Sequence, residues 1–145
     1  MLDFLLDKKL VSAALFLTNG KVFLSVVPTF KTNYDLPKGV QNKGEDILDT
    51  LIREVDEETG INLHQYKNKI QKIGLYKYRK NKDIMLFLLK LDELPKTSLM
   101  RCVSMFKLKN KEYPEVGQFK YLNFDNLNVF KENMARIIRD VIDKL

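Results

Sequence analysis

Glu54, Glu57 and Glu58 are the residues in this chain whose types and spacing most directly suggest chemistry. Helical steps of about 100° place their carboxylates within an arc of roughly 100°, on one face beside an apolar stripe. Clustered carboxylates repel one another, which raises some of their pKa values unless a divalent cation neutralises them. Magnesium does this through hard oxygen ligands while retaining water and binding substrate phosphates, so the helix pattern predicts a metal site. Arg53, one turn before Glu57, is expected to orient that glutamate by a charge-assisted hydrogen bond. A charged helix face is more often merely solvated. Gly39, Glu45, Arg53 and Gly60 argue against that here, because a generic surface helix gives them no reason to occur together.

Read from Gly39, the segment is GVQNKGEDILDTLIREVDEETGI, and every fixed position of the Nudix box is filled. The chain is therefore identified as resembling the Nudix hydrolases. The resemblance extends beyond the box. Leu36-Pro37-Lys38-Gly39 resembles the entrance to the box in RNA pyrophosphohydrolases and diadenosine tetraphosphate hydrolases, Met85–Leu91 resembles their central strand, and Val129-Phe130-Lys131 with Arg136 resembles the start of their last helix. Pro114-Glu115 followed by Phe119-Lys120-Tyr121 parallels a Pro-Glu segment followed by Trp-Arg-Trp in the RNA pyrophosphohydrolases. Two departures stand out: the chain has no Trp, and Lys38 replaces a frequent glutamine.

The resemblance implies an α/β Nudix fold, a mixed β-sheet sandwiched between α-helices, and hydrolysis of a phosphoanhydride by magnesium-activated water, with manganese as a substitute ion. It implies that Glu54, Glu57, Glu58, Glu115 and the Gly39 carbonyl bind the metal. It leaves open whether Glu57, Glu58 or Glu115 removes the proton. Lys38, Phe119, Tyr121 and Arg79 are the expected substrate contacts: the lysine for developing phosphate charge, the aromatics for a base, and Arg79 with Lys80 and Lys82 for a backbone. Phe30 and Tyr34 are further candidates for stacking, although strand aromatics are more often core. The expected substrate is the RNA 5′-triphosphate end, with dinucleoside polyphosphates as the alternative. A nucleotide-binding module that does not hydrolyse is a third reading, disfavoured by the intact acidic positions.

The elements that must hold these residues are legible in the hydrophobic pattern. Leu10–Leu17 and Val22–Val27 flank Asn19-Gly20, a hairpin-turn dipeptide that predicts an antiparallel pair. Residues 31–44 carry Pro37, Gly39 and Gly44 without a sustained period and are expected to form a loop. A helix follows, with Asp46 as its cap, Ile47, Leu48, Leu51, Ile52 and Val55 as its apolar stripe, and Gly60 as its left-handed stop. Ile70–Tyr78 and Ile84–Leu91 read as strands about a charged turn, while Cys102–Leu108 and Phe119–Phe124 are weaker strands. Leu127, Phe130, Met134, Ile137, Ile138, Val141, Ile142 and Leu145 define an amphipathic C-terminal helix.

Composition sets the outer bounds. A chain of 145 residues suits one domain, residues 1–145. Lys and Arg exceed Asp and Glu by 25 to 19, a net charge of +6 that favours polyanionic partners such as nucleotides or RNA. No apolar run approaches the roughly 18 residues of a membrane span. The opening segment Met1–Lys9 is short and interrupted by Asp3 and Asp7, unlike a secretory signal, and Cys102 is the single cysteine, so a cytoplasmic location is expected. No appended DNA-binding domain is expected, and oligomeric state is not read from these residues. One Cys and one His cannot build a tetrahedral zinc site, and His64 is expected at the surface.

Overall fold

The computed structural model describes residues 9–145, so the reading of the opening segment as no secretory signal falls largely outside the described residues. Its centre is strand β1 (Leu10–Thr18), in which Ala13 to Thr18 are fully buried. Both faces of β1 are covered, which is why its sequence runs apolar without alternating. Ala14 and Phe16 point into one core, and Ala13, Leu15 and Leu17 into the other.

Strand β2 (Val22–Pro28) follows the Asn19-Gly20 turn, with Gly20 at φ 94°. The antiparallel pairing is confined to the turn end, at Thr18 and Phe23. Beyond that point β2 diverges from β1, and its place is taken by β3 (Lys38–Val40), paired antiparallel with β1 from Ser12 to Ala14. A strand therefore interrupts the expected loop at 31–44. Three residues are too few to show a period, and the pairing depends on backbone groups: Leu15 N–H donates to the Pro37 carbonyl and Gln41 N–H to that of Val11.

Strands β4 (Gln71–Arg79) and β5 (Lys82–Lys90) form the expected hairpin, and β5 runs parallel to the whole of β1. Two further strands, β6 (Met105–Leu108) and β7 (Lys111–Pro114), form a separate ribbon. Its second strand escapes a hydrophobic-pattern reading because Lys111 and Glu112 are exposed and no core face exists to impose alternation. Strand β8 (Val116–Asn123) completes the order β4-β5-β1-β2-β8.

Helix α1 (Ile47–Thr59) packs Leu51, Ile52 and Val55 on one face of this mixed sheet. Helix α2 (Glu132–Asp143) packs Met134, Ala135, Ile137, Ile138 and Val141 on the other. The expected C-terminal helix is shorter than its apolar pattern. Leu127 and Phe130 are buried from a 3-10 turn and its end, ahead of α2, and Leu145 is exposed. No helix among the described residues is long and apolar enough to cross a membrane.

Candidate active site

Helix α1 is anchored at both ends by its own sequence. The Asp46 carboxylate accepts from Leu48 N–H at the start, a cap worth about 1 kcal/mol. At the end Gly60 adopts φ 79° and donates its N–H to the Asp56 carbonyl. The helix is thus held in register against the sheet, with its glutamate face toward β3.

Glu58 is buried, and its carboxylate accepts the backbone N–H of Lys38 on β3 at 3.1 Å. Burial pushes this carboxyl up to about 8, against the opposing effect of the Lys38 N–H and ammonium. Glu54 lies against Gly39: a methyl group there would sit 1.9 Å from Glu54 Cδ, so only glycine permits the approach. Burial raises the Glu54 carboxyl above the ordinary range. Arg53 opposes that rise, while Glu57 and Glu115 reinforce it.

Arg53 is committed elsewhere than expected. Its Nε and Nη2 make a two-pronged contact with Glu45 at 2.9 and 3.0 Å, Nη2 also donates to the Val40 carbonyl at 3.1 Å, and Nη1 donates to Glu54 at 2.7 Å. Glu57, the residue it was expected to orient, is 3.6 Å away. The planar guanidinium matches a carboxylate edge, and Glu45 presents that edge from the loop before α1. Glu45 accepts in addition from Thr50 and from Asn42 N–H, and the Arg53 contact holds its carboxyl at about 2. The arginine thereby ties the β3–α1 loop to the helix and steers Glu54.

Glu115 reaches the same neighbourhood by a backbone relay. The Glu57 carbonyl accepts from Val103 and Ser104 N–H at 2.8 and 3.3 Å, and the Ser104 carbonyl accepts from Glu115 N–H at 2.8 Å. Residues distant in sequence are thus suspended from the end of α1, close enough for Glu115 and Glu54 to repel.

Beside Lys38 opens a cleft of about 470 Å³ lined by Phe30, Lys31, Tyr34, Tyr78, Arg79 and Lys131, among others. Lys38 donates to Asp35 at 2.8 Å; burial disfavours its charge, but Asp35 outweighs that and raises its pKa. Arg79 and Lys82 lie 5.4 and 5.9 Å from the centre of the Tyr78 ring. Burial, together with repulsion from Lys38 and Arg79, lowers the Lys82 ammonium to about 8. Cations outnumber carboxylates here, the arrangement that favours an anionic ligand.

Lys38 and Arg79 therefore meet at this cleft. Phe119 and Tyr121 do not line it; both pack against the core beneath α1, and the Tyr121 hydroxyl donates to the Pro95 carbonyl at 2.5 Å. Burial pushes that hydroxyl up to about 12. Asp35, Tyr78 and Lys131 were not foreseen as cleft residues. They come from three separate elements, and no local spacing links them.

The donor set suits a hard divalent ion. Lys38 is matched by Asp35, and Arg53 is shared between Glu45 and Glu54, so the acidic groups of Glu54, Glu57, Glu58 and Glu115 outnumber the cations facing them. The carboxylates are not drawn together: among the described residues no three acidic, histidine or cysteine side chains converge on one point. Glu54 faces Arg53 and Glu58 faces the Lys38 N–H, as mutual repulsion requires. Metal binding would draw them inward.

The family model for the NUDIX domain matches residues 8–145. The chain belongs to that family. A search of curated protein sequences gives no match. Among solved structures, a bifunctional NMN adenylyltransferase/ADP ribose pyrophosphatase from Francisella tularensis superposes with a TM-score of 0.71 at 18% identity, covering 94% of this chain and 41% of that one. This chain thus spans under half of that protein, which has also been determined with AMP and a manganese ion. A structure from work on MutT of Aliivibrio salmonicida and Vibrio cholerae gives a TM-score of 0.63 at 16% identity, covering 94% and 98%. A C. elegans Ap4A hydrolase gives 0.62 at 21% identity, covering 91% and 94%. These likenesses are of fold. The Nudix hydrolases as a family use divalent metals.

Proposed function

We propose that the protein hydrolyses a phosphoanhydride at the 5′-triphosphate end of RNA, using magnesium, with manganese able to substitute. The observation that carries this reading is the juxtaposition of the glutamate surplus around α1 with a cleft whose walls are cationic and aromatic. Glu54, Glu57, Glu58, Glu115 and the Gly39 carbonyl would hold the metal. The bound metal supplies charge neutralisation at the diphosphate and lowers the pKa of the attacking water. Arg53 positions Glu54, and the Lys38 backbone positions Glu58. Glu115, the exposed loop member of the acidic group, takes the proton from water, with Glu57 the other candidate. Lys38, Arg79 and Lys131 balance the phosphate charge at the cleft.

The second reading, hydrolysis of a dinucleoside polyphosphate, draws on the same cationic cleft and on the fold shared with an Ap4A hydrolase. Product analysis with magnesium separates them: 5′-triphosphate RNA, diadenosine tetraphosphate, ADP-ribose and 8-oxo-dGTP are compared side by side. Preferential removal of phosphates from RNA is expected. Fast turnover of the dinucleotide beside none of RNA overturns the RNA assignment, and inactivity on all four favours a binding module.

A further inference from the structure

Phe30 is in a place where a phenylalanine is costly. It is the third residue of a turn closed by Lys31 N–H donating to the Pro28 carbonyl at 3.1 Å, and its φ is 64°, the left-handed conformation that favours glycine or asparagine. The residue is 65% exposed, so burial does little to compensate for the strained backbone. Yet the ring is not isolated. It stands edge-on to Tyr113, with ring centres 4.7 Å apart, and edge-on to Phe106 at 6.3 Å, while Phe106 and Tyr113 are 5.9 Å apart.

Phe106 and Tyr113 are cross-strand partners in the β6–β7 ribbon and share one of its faces with the next pair, Leu108 and Lys111. Glu112, paired with Lys107, falls on the opposite face. The aromatic face therefore carries a cation and no carboxylate. Phe30 also lines the cleft together with Lys31, and Thr29 N–H donates to the Glu115 carbonyl at 3.0 Å, which ties this turn to the loop that brings Glu115 toward Glu54. Aromatic rings at the mouth of a cationic cleft, flanked by lysines, are the elements from which single-stranded nucleic-acid sites are made. Strain retained at an exposed position points to a ligand rather than to packing.

We propose that Phe30, Phe106 and Tyr113 form a stacking platform for a nucleobase of the single-stranded RNA whose 5′ end enters the cleft. That the ligand is RNA rests on the proposed function above; the stacking does not require turnover. Phe30 holds the base, Tyr113 and Phe106 brace it, and Lys31 and Lys111 follow the phosphates on either side.

The test uses the full chain and a 5′-triphosphorylated hexaribonucleotide carrying 2-aminopurine at its first, second or third position. Binding is read in EDTA by quenching of 2-aminopurine emission, so hydrolysis plays no part. Quenching is expected at one position, with affinity about tenfold lower in Phe30→Gly and recovered in Phe30→Tyr. Glycine suits the positive φ, so Phe30→Gly is expected to fold, and Tyr113→Leu provides an independent variant with a similar loss. Equal quenching in wild type, Phe30→Gly and Tyr113→Leu overturns the platform. So does quenching by a 2-aminopurine analogue of diadenosine tetraphosphate with none by the hexanucleotide. Quenching by RNA that is never hydrolysed on adding magnesium leaves the platform standing and defeats the RNA hydrolase reading instead.

Discussion

The two sides of Lys38 are built on opposite principles. Toward α1, its backbone N–H meets a buried glutamate, and Arg53, Glu45, Thr50 and Val40 form a nearly saturated hydrogen-bond network among residues close in sequence. Toward the cleft, its ammonium joins cations and rings drawn from the β2–β3 turn, the β4–β5 hairpin and the entry to α2. On the first side Arg53, Glu45 and Thr50 are each hydrogen-bonded, and a buried polar group without a partner is expensive. The second is open, and its cations outnumber the one carboxylate, Asp35, that pairs with Lys38 there, which favours an anionic ligand. Most of the acidic group thus comes from one continuous segment, with Glu115 added from the junction of β7 and β8, whereas the cleft lining is drawn from several.

That contrast can be broken experimentally, and the largest effect is expected on the α1 side. Glu57→Gln should lower kcat by about 10³-fold through loss of a ligand or base, with little change in thermal stability because its side chain is 36% exposed. Activity measured beside a melting curve checks this; retention of most turnover would remove Glu57 from the site. Chelation of divalent cations should abolish turnover in the wild type in the same assay.

Gly39→Ala comes next. The added methyl group must displace Glu54, so activity should fall about 10- to 100-fold. Part of that loss should be recovered by raising magnesium, which a titration of rate against metal concentration would show. A wild-type response would mean that the close approach of Glu54 to Gly39 does not matter for metal binding.

Glu45→Gln tests the network that holds the loop to the helix. It should cost about 1 kcal/mol in urea unfolding at neutral pH, since Arg53 loses its two-pronged acceptor at a partly exposed site where solvent screens the charge. The carboxyl is held at about 2 in the folded protein, below its ordinary value of 4.5. Its contribution is therefore present above about pH 4.5 and fades as pH falls toward 2, so the two proteins should converge in stability over that interval. A gap independent of pH would show that the neutral hydrogen bonds, not the charge, are responsible.

The smallest expected effect sharpens the comparison from the other direction. Tyr121→Phe removes the hydroxyl bonded to the Pro95 carbonyl and should lower stability by about 1 kcal/mol. Substrate kinetics on the same variant decide whether this residue has a binding role as well; a rise in KM would place it in contact with the substrate despite its distance from the cleft lining.

How far each part was legible follows from the range of the forces involved. Helix α1 could be read to the residue, because Asp46, the apolar stripe and Gly60 act over one to four positions. The β4–β5 hairpin was nearly as plain, since Ile84, Leu86 and Leu88 alternate with Phe87 and Leu89 between the two cores. Strand β3 was not, because its three residues exist as a strand only through pairing with β1 where β2 turns away. Of the β6–β7 ribbon, β6 fell within the weaker strand expected at Cys102–Leu108, whereas β7 lay hidden, because a ribbon outside the main sheet buries too little to pattern its sequence.

The sequence by itself determined the acidic helix and its glycine stop at Gly60, and with them pointed to the class of chemistry, since helical geometry converts spacing directly into a shared face. Only the tertiary structure decided that Arg53 binds Glu45 and Glu54 more closely than Glu57, that Phe119 and Tyr121 lie beneath α1, and that Phe30 meets Phe106 and Tyr113 beside the cleft. Each of those outcomes depends on where chain segments far apart in sequence come to rest, and side-chain partners across such gaps are set by packing and charge matching rather than by any local period.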